Sequence, residues 1–375
     1  MDSPAPKLRI LLLGDYSNMH SQLARTLRAM GHSVTLFSDG SGFQDTERDF
    51  DVSRRPGKLG GALLAARLMW PWHKHLRGYD VVALQSPHFV ELRPRRLRWF
   101  FDRLRGENAK VFLTSAGFDP VYIAEALDPH SSLRYNELRM GSLPSPLAVA
   151  NPGLVKAWMT PEMVSYNHYV YQHVDGVVTA LYEYQVAAEH FLGPEKVHYG
   201  GIPIDTDALE VYTQPAHPEC VRMFLGRHAH RILEKGTDVL ARAATAVCER
   251  HPGKVALDIV ENRPYREYVD MMRGSNIVLD QIYSYTPATN ALIAMAHGLT
   301  AVSGGEDAYY DFIGECDNRP IVNAPWREDK LVEVLDDLVS NPDDLARRGQ
   351  SSRDFVVKHN NATTVAKRFL EAWSK

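Results

Sequence analysis

The feature that most constrains this chain is a repeated alternation of short apolar runs with helical patterns. Leu8–Leu13 is an apolar run closed by Gly14, the pattern of a strand buried on both faces. Leu23, Leu27 and Met30 then recur at helical spacing. Ser17 or Asn18 can cap the start of that helix and Gly31 can end it. Ser33–Phe37 reads as the next strand, completing a βαβ unit whose crossover should be right-handed.

The rhythm continues through strands at Asp80–Gln85, Lys110–Ser115 and Val174–Leu181, the last followed by a helix at Tyr182–Phe191. It restarts after the Pro-rich stretch Gln214–Glu219, with strands at Val221–Leu225, Val255–Val260, Ile277–Gln281 and Thr300–Ser303. Helices fall between and after them, at Asp238–Arg250, Tyr265–Met272, Asn290–His297, Lys330–Val339 and Asp343–Lys358. Two such series predict an α/β protein of two Rossmann-like, doubly wound domains facing across a cleft. The length of 375 residues suits two cores. The expected division is 1–213, 214–355, and a final segment 356–375 whose helix, Thr363–Trp373, returns to the first domain. Segment 38–78 is rich in Gly and Arg and shows no clear period; segment 128–162 holds five prolines and reads as an inserted loop.

A net charge of −4 exerts no pull toward nucleic acid, and no nucleic-acid partner is expected. Cys220, Cys248 and Cys316 lack metal or redox spacing and cannot all pair, which suits a reducing compartment. The apolar run at Ile10–Leu13 is too short for a secretion signal, and no run approaches the ~20 residues needed to span a bilayer. The expectation is a cytoplasmic protein, with peripheral contact at the inner membrane face left open. The Asn361-Ala362-Thr363 sequon is then a chance match.

In doubly wound sheets the ligand sits at the carboxyl ends of the strands, so the residues just after each strand matter most. Gly226–Gly236 follows a strand, opens with Gly and holds Arg227, Arg231 and Lys235. A diphosphate needs cations and backbone N–H groups in one place, and Arg and Lys can hold it as it becomes a leaving group. A solvated basic loop fits the same residues. The loop after the first strand lacks GxGxxG, which argues against a nicotinamide dehydrogenase.

The Gly226–Gly236 stretch resembles the GR…KG signature of retaining GT-B glycosyltransferases of family 4. Other pieces follow in that family's order: Gly14 opening the first loop, GGIPIDTD at Gly200–Asp207, and NALIAMAHGLTAVSGGE at Asn290–Glu306. The resemblance covers roughly residues 8–37 and 174–306. It implies a metal-independent hexosyl- or glycosyltransferase with a nucleotide-diphosphate sugar as donor and no further cofactor. The implied acceptor is a glycan or lipid-linked acceptor in polysaccharide or glycoconjugate synthesis. By the same resemblance Arg227 and Lys235 bind the diphosphate, with Arg231 in reserve. Thr289 and Asn290 offer N–H groups at a helix N-terminus, a reading compatible with an ordinary helix cap. Glu261 and Asn262 stand near the nucleobase, and Gly14 with Asn18–His20 near the phosphates or acceptor.

The sequence departs from the family at three places. Tyr285 and Ile293 stand where members carry two carboxylates, so the sugar and ribose contacts must differ. Asp280 and Glu306 are nearby carboxylates able to compensate; a helix cap or ion pair explains Asp280 equally well. The family's first-domain histidine is absent: that place reads Ser115–Asp119, with Gly117 permitting close backbone approach and Asp119 keeping an acidic group for catalysis. His20 and His88 follow other strands and can make polar contacts, or serve structure. A degenerate protein that only binds sugar nucleotides or a partner is the competing reading. No His/Cys pair at ligand spacing argues for a metal.

Arg93, Arg95, Arg96, Arg98, Arg103 and Arg105 flank the apolar face Leu97, Phe100, Phe101 and Leu104. Upstream, Leu63–His75 adds Met69, Trp70, Trp72, Lys74 and His75. This reads either as a sheet-packing helix with a charged outer face or as a basic, Trp-bearing patch for anionic lipid.

Overall fold

The computed structural model describes residues 6–41, 45–261 and 263–375. The elements begin with β1 (Arg9–Leu13), α1 (Met19–Ala29), β2 (Ser33–Ser38), β3 (Phe50–Asp51), α2 (Lys58–Met69), β4 (Val81–Leu84) and α3 (Pro94–Glu107). Next come β5 (Lys110–Ser115), α4 (Pro120–Leu127), the hairpin β6 (Arg139–Met140) and β7 (Leu143–Pro144), α5 (Pro146–Ala150), α6 (Pro152–Trp158) and α7 (Pro161–His173). Then follow β8 (Gly176–Thr179), α8 (Tyr182–Leu192), β9 (Val197–Tyr199), β10 (Val221–Arg227), α9 (Ile232–Lys235), α10 (Thr237–Arg250), β11 (Val255–Glu261) and α11 (Tyr265–Met272). The chain ends with β12 (Ile277–Leu279), α12 (Thr289–Ala296), β13 (Thr300–Ser303), α13 (Asp307–Phe312), β14 (Val322–Asn323), α14 (Glu328–Ser340), α15 (Leu345–His359) and α16 (Ala362–Ser374).

Two units emerge. Unit 1 comprises 1–125, 153–203 and 362–375; unit 2 comprises 126–152 and 204–361. Unit 1 carries a seven-stranded parallel sheet in the order β3-β2-β1-β4-β5-β8-β9. Strand β1, inside this sheet, shows why a continuous apolar run was needed. Leu11 and Leu13 enter the core on one face with Phe37, Leu97 and Phe101. Ile10 and Leu12 enter the core on the other face with Leu23, Leu27, Phe369 and Trp373. Successive side chains point to opposite faces, and helices cover both. Full burial of each such side chain contributes about 1.5–3 kcal/mol. Helix α16 supplies Val365, Phe369 and Trp373 at helical spacing to that second core, and Lys110 Nζ donates to the Trp373 carbonyl at 3.1 Å.

Unit 2 carries a five-stranded parallel sheet in the order β11-β10-β12-β13-β14. Val221, Met223 and Leu225 of β10 face one core and Phe224 the other. The strand order reverses between β10 and β12 in unit 2, and between β1 and β4 in unit 1. These are the topological switch points, where the loops after adjacent strands part and leave room for a ligand.

The division differs from the sequence expectation in three ways. It falls at Pro203 rather than near 213, and 126–152 belongs to unit 2 although it lies within the first series. The last is that 356–361 stays with unit 2 and only 362–375 returns to unit 1. The prolines of 128–162 mark helix starts more than loop. Pro146, Pro152 and Pro161 each open a helix, where a missing N–H costs nothing. Ser145 and Thr160 cap α5 and α7 by accepting from Ala148 N and Met163 N. In 38–78, β3 and α2 are regular elements. Helix α2 showed no period because its sequence, KLGGALLAARLM, is apolar around nearly its whole circumference.

Candidate functional site

The site in unit 2 is built on the carboxyl ends of β10 and β12. In the parallel register Arg227 stands beside Glu261 of β11, with Nε 2.8 Å from Oε1. The contact is an ion pair by distance; the Nε–H is aligned with no acceptor among the described residues. Just before it, a Cβ on Gly226 would lie 2.1 Å from the Tyr268 hydroxyl. Glycine at 226 therefore lets Tyr268 cross the end of β10, and its hydroxyl donates to Asn290 Oδ1 at 2.6 Å. Gly236 has φ +68°, and a Cβ there would lie 2.4 Å from Ile282 Cγ1. This left-handed residue ends the single turn of α9 and begins α10.

That turn delivers Lys235 to the switch point. Lys235 Nζ lies 2.9 Å from Asp280 Oδ1, with the carboxylate 1% and the lysine side chain 20% exposed. Ser303 Oγ donates to Asp280 Oδ2 at 3.2 Å, and Asn290 Nδ2 lies 3.5 Å from Oδ1. Lys235, Asp280, Asn290, Ser303 and Tyr268 thus form one network drawn from separate elements. Thr289 is the first residue of α12; the cap position is Ala288, whose side chain accepts nothing. Of the cation-bearing loop, Arg231 stands apart: its Nε donates to Glu234 Oε1 at 3.0 Å. Asn262 lies outside the described residues. Tyr268 carried no signal in the sequence, because only the glycine at 226 and its partner at 290 reveal its position.

Tyr285 and Glu306 are engaged in specific contacts. Tyr285 is 1% exposed. Its hydroxyl accepts from the Arg134 backbone N–H at 2.5 Å, and its ring stacks on Tyr135 with centroids 4.9 Å apart. Glu306 pairs with Arg134 Nη2 at 2.5 Å, accepts from Tyr135 O–H at 2.8 Å and from Asn323 Nδ2 at 3.0 Å. Both residues therefore anchor the 126–152 segment to the carboxyl edge of the sheet. Ile293 sits half-buried within α12.

In unit 1 the corresponding edge lies at β1 and β4. Gly14 has φ +82°, and a Cβ there would meet Gln85 Cβ at 3.0 Å and the Phe89 carbonyl at 3.2 Å. His20 is fully buried and both ring nitrogens are engaged, with Gly14 O at 2.9 Å and Thr114 Oγ1 at 3.1 Å. Desolvation lowers its pKa to about 3, so it is a neutral structural imidazole. Asp119 is likewise enclosed. Its Oδ1 accepts from Tyr122 N at 2.8 Å, capping α4, and its Oδ2 accepts from Tyr171 O–H at 2.7 Å. Burial pushes its pKa up to about 6. The expected catalytic carboxylate is placed here as a helix cap, because the chain turns into α4 immediately after it.

His88 is different. It follows β4, sits edge-on to Trp158 and Tyr166, and its ring nitrogens have no hydrogen-bond partner among the described residues. Burial lowers its pKa to about 4. Gly117 carries no side chain, and a Cβ there would meet the Tyr16 ring at 3.6 Å. Among the described residues no group of His, Cys, Asp and Glu could hold a metal ion, and no helix is long and apolar enough to cross a membrane.

No protein-family model matches this sequence, and no curated protein matches it. Solved structures do. Sucrose-phosphate synthase from Thermosynechococcus elongatus matches with a TM-score of 0.66 at 13% identity, covering 98% of each chain. HepE from Anabaena, in complex with UDP and glucose, matches with a TM-score of 0.60 at 13% identity, covering 98% of this chain and 99% of that chain. This chain has the GT-B fold. The same HepE in complex with UDP-glucose gives a TM-score of 0.61 at 12% identity, over 98% of this chain and 99% of that one. A GT-B chain so distant in sequence shares the two α/β units and their parallel sheets; its site is its own.

Proposed function

We propose that this chain transfers a sugar from a nucleotide-diphosphate donor held by unit 2. The observation that carries the reading is the placement of Arg227 and Lys235 at the β10/β12 switch point, beside the uncapped start of α12. Guanidinium, ammonium and helix-terminal N–H groups together neutralise a diphosphate as charge develops on it. The matched HepE structures hold UDP or UDP-glucose on the same fold, which supports a uridine-sugar donor. The finer reading is a metal-independent, retaining, family 4-like transferase with a glycan or lipid-linked acceptor, acting at the cytoplasmic side. Lys235 leaves its ion pair with Asp280, or shares it, when phosphate binds. Asp119 is assigned no contact with either substrate; His88 is the acceptor-side group with unused hydrogen-bonding capacity.

Calorimetry against UDP-, GDP- and ADP-sugars tests this directly. One of them should bind, and Arg227→Ala or Lys235→Ala should abolish turnover with the fold intact. Full turnover by both variants would remove the site assignment. A second reading has its own support: Tyr285 and Glu306 are both committed to the 126–152 segment, so neither supplies the sugar contact that family carboxylates make. A chain that binds the nucleotide sugar but turns over no acceptor would establish that reading.

A further inference from the structure

We propose that the α2/α3 face of unit 1 docks on an anionic lipid membrane. Three observations converge on this face. The first is charge segregation. Residues 54–105 hold twelve Lys and Arg against three Asp and Glu, within a chain whose net charge is −4. The second is an apolar stripe facing water. Leu64, Ala65 and Leu68 of α2 bury into the unit 1 core. On the opposite side Leu59 and Trp70 are each 77% exposed, and Leu63 and Met69 are exposed with them. Leu59 and Leu63 lie one turn apart on one face of α2, and Met69 and Trp70 continue the exposed apolar surface at its C-terminal end. A helix apolar all round belongs in apolar surroundings on both sides.

The third is the arrangement of the arginines around that stripe. A groove of about 420 Å³ runs between α2 and α3, lined by Ala65, Met69, Arg95, Arg96, Trp99 and Phe100. Arg96 Nη1 donates to the Gly61 carbonyl at 3.0 Å and joins the two helices. Arg93 and Arg95 are exposed, and neither has a carboxylate partner among the described residues. Arg67 lies over the Trp72 ring at 5.3 Å and Arg103 over the Trp99 ring at 5.6 Å.

Exposed Trp and Leu flanked by arginines is the pattern of a surface that enters the headgroup layer. The indoles and aliphatic chains bury apolar area while guanidinium groups meet phosphates. A purely electrostatic polyanion partner would leave the apolar stripe without use, and a neutral apolar partner would leave the arginines unmatched. An acidic bilayer uses both. The inference rests on unit 1 alone and stands whether or not unit 2 binds a nucleotide sugar.

Vesicle flotation of the full chain tests it. The protein should float with vesicles of phosphatidylcholine plus phosphatidylglycerol, float poorly with phosphatidylcholine alone, and detach as salt rises. Arg93→Ala with Arg95→Ala should lower partitioning about thirtyfold, at roughly 1 kcal/mol per charge. Leu63→Ala with Trp70→Ala keeps the charge and should also lower partitioning, by at least about tenfold. Circular dichroism and thermal unfolding of each double variant establish that the fold is retained. No flotation with acidic vesicles at low salt overturns the proposal. So does undiminished binding by the Leu63/Trp70 variant, which would mark the face as a general polyanion site.

Discussion

Lys235 Nζ and Asp280 Oδ1 lie 2.9 Å apart at the strand-order reversal of unit 2, and the carboxylate is almost wholly excluded from water. Ser303 and Asn290 complete the shell of Asp280. Removing one partner of a buried pair leaves an uncompensated charge and costs about 3–5 kcal/mol when both are fully enclosed. The partly exposed lysine places Lys235→Ala nearer 2–3 kcal/mol on that scale. Lys235→Met combined with Asp280→Leu should recover much of the loss in urea unfolding. It should not recover nucleotide binding. A double variant that binds as wild type would make the pair purely structural.

Gly236 carries the turn that presents Lys235. Gly236→Ala meets both a left-handed φ and a Cβ clash with Ile282 and Tyr283. The expected cost is about 2–4 kcal/mol, from strain plus overpacking. Thermal unfolding measures it, and a donor titration of the folded fraction should show weakened binding because Lys235 is displaced. Unchanged stability and affinity would show that this turn relaxes freely.

Tyr285 tests whether its hydroxyl serves the 126–152 segment or a ligand. Tyr285→Phe removes the acceptor for the Arg134 N–H, and losing this part-buried hydrogen bond costs about 0.5–1.5 kcal/mol. Affinity for the nucleotide sugar should stay within about twofold, less than 0.5 kcal/mol. A tenfold loss of affinity in a stable variant would instead place the hydroxyl on the ligand.

The histidines and buried carboxylates of unit 1 oppose one another in acid. His20 and His88 titrate near 3 and 4 in the fold, against 6.5 when free. As pH falls below 6.5 the unfolded chain binds protons that the fold refuses, so their contribution to stability is lost. Asp15 and Asp119 titrate near 6 in the fold, against 3.8 when free. Between those values the fold binds more protons, so acidification there gains stability. His88→Phe removes one of the acid-sensitive groups. Urea midpoints compared at neutral pH and at about pH 5 should fall less in this variant than in wild type. An equal fall would mean that His88 is solvated.

Much of the architecture was legible because both sheets are parallel and covered on both faces. That burial makes the middles of the strand runs apolar, at Ile10–Leu13, Val111–Leu113 and Ala301–Val302, and the observed strands lie on them. The helices whose one face packs on a sheet, such as Tyr265–Met272 and Asp238–Arg250, were legible for the complementary reason. Helix α2 was not, because it is apolar on its outer side too. The 126–152 segment was not, because its allegiance depends on Arg134 and Tyr135 finding Tyr285 and Glu306, residues distant in the chain.

The sequence alone therefore determined the two Rossmann-like series, the cationic stretch Gly226–Gly236 and the residues crowding the strand ends. Those follow from local periodicity and from the rule that ligands gather where parallel strands finish. Only the tertiary structure decided which polar groups are in use. It enclosed His20 and Asp119, committed Tyr285 and Glu306 to one segment, paired Lys235 with Asp280, and left His88 without a described partner. The physical reason is that hydrogen bonds and ion pairs join atoms brought close by packing, and no spacing along the chain encodes which of them meet.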